Sequence, residues 1–170
     1  MNSVYLSLGS NIGNRLLYLQ ATIDRLANHN DISLLKESSV YKTSPVNMIS
    51  CRNFYNMVIC VSTTLDPFNL LDCLKNIEKD IGRKNKHNMP REIDIDIITY
   101  SKKIIQSNKL TIPHKLAKTR KFVLEPLKEL DNNFKFPGEE LTISDLIVNV
   151  KSDDMCEKLN YKFLESNINV

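Results

Sequence analysis

Residues 91–97 read Arg-Glu-Ile-Asp-Ile-Asp-Ile, and this run constrains the fold more than any other segment. Polar and apolar side chains alternate with a period of two, which places them on opposite faces of a strand but scatters them around a helix. Ile93, Ile95 and Ile97 therefore belong to a buried face. Asp94 and Asp96 share the other face, about 7 Å apart along the strand. A chain with this run must build a sheet whose second face displays two carboxylates. Such a pair suits one or two Mg²⁺ ions, hard cations that accept a few protein oxygens and complete their shell with phosphate and water. Alternation alone is also the pattern of a plain half-exposed strand.

The rest of the 170-residue chain fits one soluble globular domain, 42% hydrophobic and without repeats or low-complexity linkers. Val4, Leu6 and Leu8 alternate in a first strand ended by Gly9-Ser10-Asn11. Leu16, Leu19, Ile23 and Leu26 then recur at helical spacing. Residues 32–41 are extended, and 43–52 read as a long loop. Residues 54–64 form a strand with Tyr55, Met57, Ile59 and Val61 on one side and Phe54, Asn56, Val58 and Cys60 on the other. Asp66-Pro67 starts a second helix, with Asp as N-cap and Pro in the first turn, and Gly82 suits its end. A polar loop over 83–90 leads into the strand 92–99, with Ile104-Ile105 expected to pair back on it. The order β-α-β-β-α-β is that of a ferredoxin-like α+β core. Helical segments at 122–130 and 142–148 would cover the second face and extend the core to a three-layer α/β/α sandwich. Residues 149–170 read as a C-terminal extension of the single domain 1–170.

Charge is unevenly distributed. The net charge is +3, yet residues 83–121 carry eleven Lys or Arg against three acids. Such a basic third points to a polyanionic ligand or to a lysine-rich solvated face. Cations surround the two aspartates: Arg83, Lys84, Lys86 and Arg91 before them, and Lys109, His114, Lys115, Lys118, Arg120 and Lys121 after. Mg²⁺-binding carboxylates ringed by cations meet the needs of phosphoryl transfer, in which metal and arginine neutralise the transferred group. No G-x-x-x-x-G-K-[ST] is present, so the phosphate cradle is not a P-loop, and Gly9–Gly13 does not fit G-x-G-x-x-G. Asn56, an amide in an apolar strand, needs partners if buried and can read a heterocycle edge with its donor and acceptor. Cys51, Cys60, Cys73 and Cys156 lack zinc-ligand spacing and read as reduced thiols. The start, MNSVYLSLGSN, has neither the basic nor the apolar region of a signal peptide, and no apolar run reaches membrane-spanning length. The expected location is the cytoplasm.

Several ordered motifs resemble one family: VYLSLGSNIGNR, SSVYKTSPV, NFYNMVI, the helix carrying Glu78 and ending in Gly82-Arg83, PREIDIDII, and LTIPHKLAKTRKFVLEPLKEL. From about residue 3 to 148 the chain is similar to the 6-hydroxymethyl-7,8-dihydropterin pyrophosphokinases, folate-pathway enzymes that move pyrophosphate from ATP to a pterin alcohol. The resemblance implies that Asp94 and Asp96 ligate two Mg²⁺ ions bound with ATP, and that Arg83 and Arg91 bind phosphate and serve catalysis. It puts Lys75, Glu78, Lys84, Lys86, Ile97, Lys109, Thr111, His114, Lys115 and Arg120 around ATP. Thr43, Pro45 and Val46 would offer pterin hydrogen bonds, Asn56 would read the pterin edge, and Phe54 and Phe122 would sandwich the ring. Gly9-Ser10-Asn11 and the loops 44–52 and 83–90 would shape and close the site. Two departures stand out. The family's Trp before the aspartate strand is absent, with Met89 in place of Gly, and Ser44 replaces a frequent Pro.

The implied reaction is in-line attack of the pterin hydroxymethyl oxygen on the β-phosphorus of ATP, with AMP leaving. The partners would be small-molecule substrates acted on by a monomer, without nucleic acid or membrane. Two alternatives come from the residues themselves. A basic ferredoxin-like RNA-binding module needs no Mg²⁺ carboxylates and would stack bases on exposed strand aromatics; no RNP-like run is present. Another Mg-nucleotide transferase could use the same D-x-D.

Overall fold

The computed structural model describes residues 1–45, 52–83, 90–150, 154–161 and 163. Two long strands anchor the main sheet, β1 (Asn2–Ser10) and β4 (Phe54–Thr63), paired antiparallel along their whole length from Asn2↔Thr63 to Ser10↔Tyr55. The acidic run forms β5 (Asp94–Tyr100) on the far side of β1. The extended stretch after the first helix divides into β2 (Ile32–Glu37) and β3 (Tyr41–Thr43), which occupy successive stretches of the outer edge of β4. Ser38 makes that division: its N–H donates to the Val58 carbonyl at 2.9 Å, and its hydroxyl accepts from the Val58 N–H at 3.0 Å. A final strand, β8 (Cys156–Lys158), joins β3, giving the order β5-β1-β4-β3-β8 with β2 also on β4.

The two sheet faces bury separate clusters. Val4, Leu6, Leu8, Met57, Ile59, Val61, Ile93, Ile95 and Ile97 pack with α1 (Arg15–Ala27) and α2 (Pro67–Asp80). The strand alternation read from the sequence places these same side chains together. Asp66 caps α2 by accepting from the Phe68 and Asn69 amides at 2.9 and 3.2 Å, and Gly82 ends it at φ +105°, a left-handed conformation that glycine adopts without strain. On the other face, Val58 and Ile98 pack with α3 (Lys121–Leu130) and α4 (Ile143–Asn149). A capping box of Thr142 and Asp145 starts α4.

One local expectation is corrected. Residues 104–105 do not pair with β5. Instead β6 (Ile105–Gln106) pairs with β7 (Thr111–Ile112) as a separate two-stranded ribbon. The Ser107–Leu110 turn provides the reason, because the Ser107 N–H bonds the Leu110 carbonyl at 3.1 Å and the Leu110 N–H returns to the Ser107 hydroxyl at 3.0 Å. The Ser107 hydroxyl competes for backbone partners locally, and a four-residue turn closes before the chain can return to β5.

Candidate active site

The pairing register brings the chemistry onto one face. Gly9 on β1 lies opposite Asn56 of β4 and Asp94 of β5, and Ser7 lies opposite Asp96. Thr43 on β3 faces Phe54, and Tyr41 faces Asn56. Directly opposed residues in an antiparallel pair point the same way. The acid pair, Gly9, Asn56, Phe54 and Thr43 therefore share the face whose other end is covered by α3 and α4.

On β5, the two aspartates differ in charge environment. Asp94 Oδ1 accepts from Arg83 Nη1 at 2.7 Å, and its Oδ2 pairs with Arg91 Nη1 at 3.0 Å. Burial works to raise the Asp94 pKa, but Arg91, then Arg83 and Lys75, hold it below the ordinary carboxylate range. Asp96 has no ion-pair partner among the described residues. Burial first, then the neighbouring Asp94 charge, push its pKa up. Among the described residues no group of three or more His, Cys, Asp or Glu side chains gathers as a metal cluster. The donor set is a carboxylate pair, one member still short of positive charge. That pair fits Mg²⁺, which binds through one or two carboxylates and keeps the rest of its shell for water and phosphate.

Arg83 is held from behind. Glu78 on α2 is only 2% exposed, and its Oε2 accepts from Arg83. Its Oε1 accepts from Lys75 at 2.8 Å and from the Ile95 N–H at 2.7 Å, between the two aspartates. Because β5 is an edge strand among the described residues, Glu78 fills a backbone donor that no described strand pairs. Burial opposes the Arg83 charge, yet Asp94 and Glu78 raise its pKa further.

Across the sheet, Asn56 is buried and donates from Nδ2 to Thr43 Oγ1 at 2.7 Å. Phe54 and Phe122 each lie beneath a guanidinium, Arg91 at 5.7 Å and Arg120 at 5.4 Å from the ring centroids. Arg120 precedes α3 and is drawn toward the acids. Burial lowers its pKa, partly offset by Asp96 and Asp94. The His114 N–H donates to the Ile98 carbonyl at 2.9 Å, anchoring it to β5. Burial lowers the His114 pKa, and Asp96 opposes that shift.

Other expected residues are less closely gathered. Lys109 pairs with Asp72 at 2.9 Å on the exposed side of α2. Thr111 pairs with Gln106 in the ribbon. Lys115 follows His114 and adds to the positive potential there. The Ile97 side chain is in the core under α1 and α2. Pro45 ends the described part of its loop, and Val46, Lys84 and Lys86 lie outside the described residues, as does most of the two loops expected to close the site.

The resemblance places Asn11 in the site-shaping turn Gly9-Ser10-Asn11, and the structure supplies its partner. Its Oδ1 accepts from the Arg91 N–H at 2.7 Å, and its own N–H donates to the Arg91 carbonyl at 3.2 Å. It fixes the entry to β5. Ser10 Oγ, Asn11 Nδ2 and Arg91 Nε are buried without a hydrogen-bond partner among the described residues. Paired neighbours are the rule for such atoms, so unsatisfied donors collect where β1 ends beside Arg91. The signal available in the sequence was a polar Ser-Asn pair directly following an apolar strand.

Fold and site together define a mixed α/β protein that carries a carboxylate pair among arginines beside an amide-and-aromatic subsite. Residues 5–132 match the model of the 7,8-dihydro-6-hydroxymethylpterin-pyrophosphokinase (HPPK) family, and the chain belongs to that family. It is 38% identical over 130 residues to the 2-amino-4-hydroxy-6-hydroxymethyldihydropteridine pyrophosphokinase of Bacillus subtilis, covering 76% of this chain and 78% of that one. It is 44% identical over 138 residues to the bifunctional protein FolKE of Lactococcus lactis subsp. cremoris, covering 80% of this chain but 40% of the relative. The chain thus spans less than half the length of such bifunctional relatives. Among solved structures it resembles a Plasmodium falciparum HPPK-DHPS triple mutant, with TM-score 0.69, 18% identity, and coverage of 85% of this chain and 41% of that one. That likeness concerns the fold.

Proposed function

We propose that the protein transfers the pyrophosphoryl group of ATP to 6-hydroxymethyl-7,8-dihydropterin, yielding AMP and the pterin diphosphate for folate synthesis. The observation that carries this reading is the convergence, in a chain of this family, of Asp94, Asp96, Arg83 and Arg91 beside Asn56, Phe54 and Phe122. Asn56 and Thr43 orient the pterin edge, while Phe54 and Phe122 flank its ring and aim the hydroxymethyl oxygen at the β-phosphorus. Arg83 and Arg91 donate to phosphate oxygens as charge moves to the leaving AMP, a role in which fixed guanidinium forks surpass mobile lysines. His114, Arg120 and Lys115 add positive potential on the ATP side. Two Mg²⁺ ions held by Asp94 and Asp96 would neutralise the triphosphate and hold its oxygens. Positioning and charge stabilisation supply the rate, without a dedicated general base.

The same reading takes the chain as one domain, a ferredoxin-like core in three α/β/α layers, acting as a cytoplasmic monomer. The strand order and the joining of β8 to the same sheet support the fold in this reading; no helix among the described residues is long and apolar enough to cross a membrane. The test is incubation with ATP, Mg²⁺ and hydroxymethyldihydropterin. Pterin-dependent AMP is expected, falling at least ~100-fold in Asp94→Ala or Asp96→Ala. ADP in place of AMP would point to another Mg-nucleotide transferase, and near-normal turnover in either variant would refute the metal assignment.

A further inference from the structure

The strand β8 lies beyond residues 5–132, the part matched by the family model. It docks where the pterin-side residues sit. Thr43 pairs with Cys156, and beyond that pair the chains stay latched: the Ser44 N–H donates to the Met155 carbonyl at 3.2 Å, and the Met155 N–H donates to Ser44 Oγ at 3.1 Å. The other end is held by the Leu159 N–H on the Val40 carbonyl at 2.8 Å and by Lys158 on Glu129 of α3 at 3.1 Å. So β8 touches both the strand carrying Thr43 and the helix carrying Phe122.

Between these walls lies a cavity of about 40 Å³, bordered by Thr43, Ser44, Arg120, Phe122, Met155 and Cys156. That is space for a water molecule or so, and it leaves the walls little slack. Cys156 behaves as an apolar wall, its thiol pushed up to about 11 by burial first and then by Glu125.

We propose that β8 is a positioning element for the pterin: latched through Ser44 and Met155, it sets the separation between the Thr43–Ser44 edge and Phe122. This rests on the assignment of Thr43 and Phe122 to pterin binding. Serine suits the latch because it supplies both an N–H and a hydroxyl. Alanine keeps only the N–H, and proline has neither.

The experiment compares Ser44→Ala and Ser44→Pro in the full chain with the wild type. Hydrogen–deuterium exchange is read over 154–159, and KM for pterin, KM for ATP and kcat are measured from AMP release. Exchange is expected to quicken in the order Ser, Ala, Pro. The pterin KM should rise ~2-fold and ~10-fold, with kcat and the ATP KM within ~2-fold of wild type. Unchanged exchange would overturn the latch, and loosened exchange with an unchanged pterin KM would overturn the positioning role. Parallel losses in kcat and both KM values would reduce it to general damage. If Ser44→Pro does not fold, Ser44→Ala decides, and unchanged exchange and pterin KM there overturn the inference. A wild type that releases no pterin-dependent AMP overturns the proposed function as well; one that turns over normally isolates the failure to β8.

Discussion

Gly9 gives the sharpest quantitative test of the site. Its backbone is not left-handed, so the requirement for glycine comes from space. A Cβ built there would lie 2.6 Å from Asn56 Oδ1, against about 3.5 Å for an ordinary non-bonded contact. Asn56 would have to retreat by nearly 1 Å, yet it is 4% exposed and bound to Thr43 at 2.7 Å. Retreat breaks that bond and strands a buried amide, costing about 1–3 kcal/mol. Staying leaves an overpacked contact of about the same cost. The two are alternatives, so Gly9→Ala should destabilise by ~2 kcal/mol. For a chain of this size that lowers Tm by about 4–8 °C. Thermal unfolding gives the first number, and calorimetric titration should show pterin affinity falling well beyond ATP affinity. Gly82→Ala is the control: its φ of +105° strains alanine, but no neighbouring atom of the described residues lies within 4 Å. It should lose ~1–2 kcal/mol with pterin affinity intact. A Gly9→Ala protein within ~1 °C of wild type and with unchanged pterin affinity would refute the close-approach argument.

Two further outcomes follow from polar contacts of Asn56 and Glu129. Asn56→Ala should weaken pterin binding at least ~10-fold while leaving ATP binding within ~2-fold, and equal losses by calorimetry would argue against its role at the pterin edge. Glu129 accepts from the Ser39 N–H and hydroxyl, Tyr41 and Lys158. Burial works to raise its pKa, but these bonds hold it below the ordinary glutamate value. A depressed folded pKa stabilises above the ordinary value, near pH 4.5, and that contribution fades as pH falls toward the folded one. Glu129 is solvent-exposed, so screening limits the loss in Glu129→Gln to ~0.5 kcal/mol at pH 7, with a flatter fall in Tm between pH 5 and 3; an unchanged slope would remove Glu129 as a source of acid sensitivity.

The sequence announced faces better than neighbours. Period-two alternation sorted β1, β4 and β5 into core and site sides, and Asp66-Pro67 marked the start of α2, because both signals are local. It also put Asp94, Asp96 and Asn56 on polar display. Partners distant along the chain left no such trace. The bonds between Asn11 and Arg91 span 80 residues, and that between Ser39 and Glu129 spans 90. Nothing in the periodicity of residues 156–158 names β3 as their edge. Glu78 shows the same limit: the resemblance brought it near ATP, while its burial beneath Arg83 depends on how α2 crosses β5. The pairing of Ile105 with Ile112 leaves no mark in the hydrophobic pattern, because a serine hydroxyl closes its turn.

The order of strands makes the sheet a ruler. From the acid pair on β5 to Thr43 on β3 there are three interstrand steps, each about 4.8 Å, or roughly 14 Å in all. Side-chain substitutions can reshape either end of that interval, but only the gain or loss of a strand changes its length by a full step. Descendants of this scaffold can thus vary their loops and pocket walls while inheriting a fixed interval between the acid pair and Thr43.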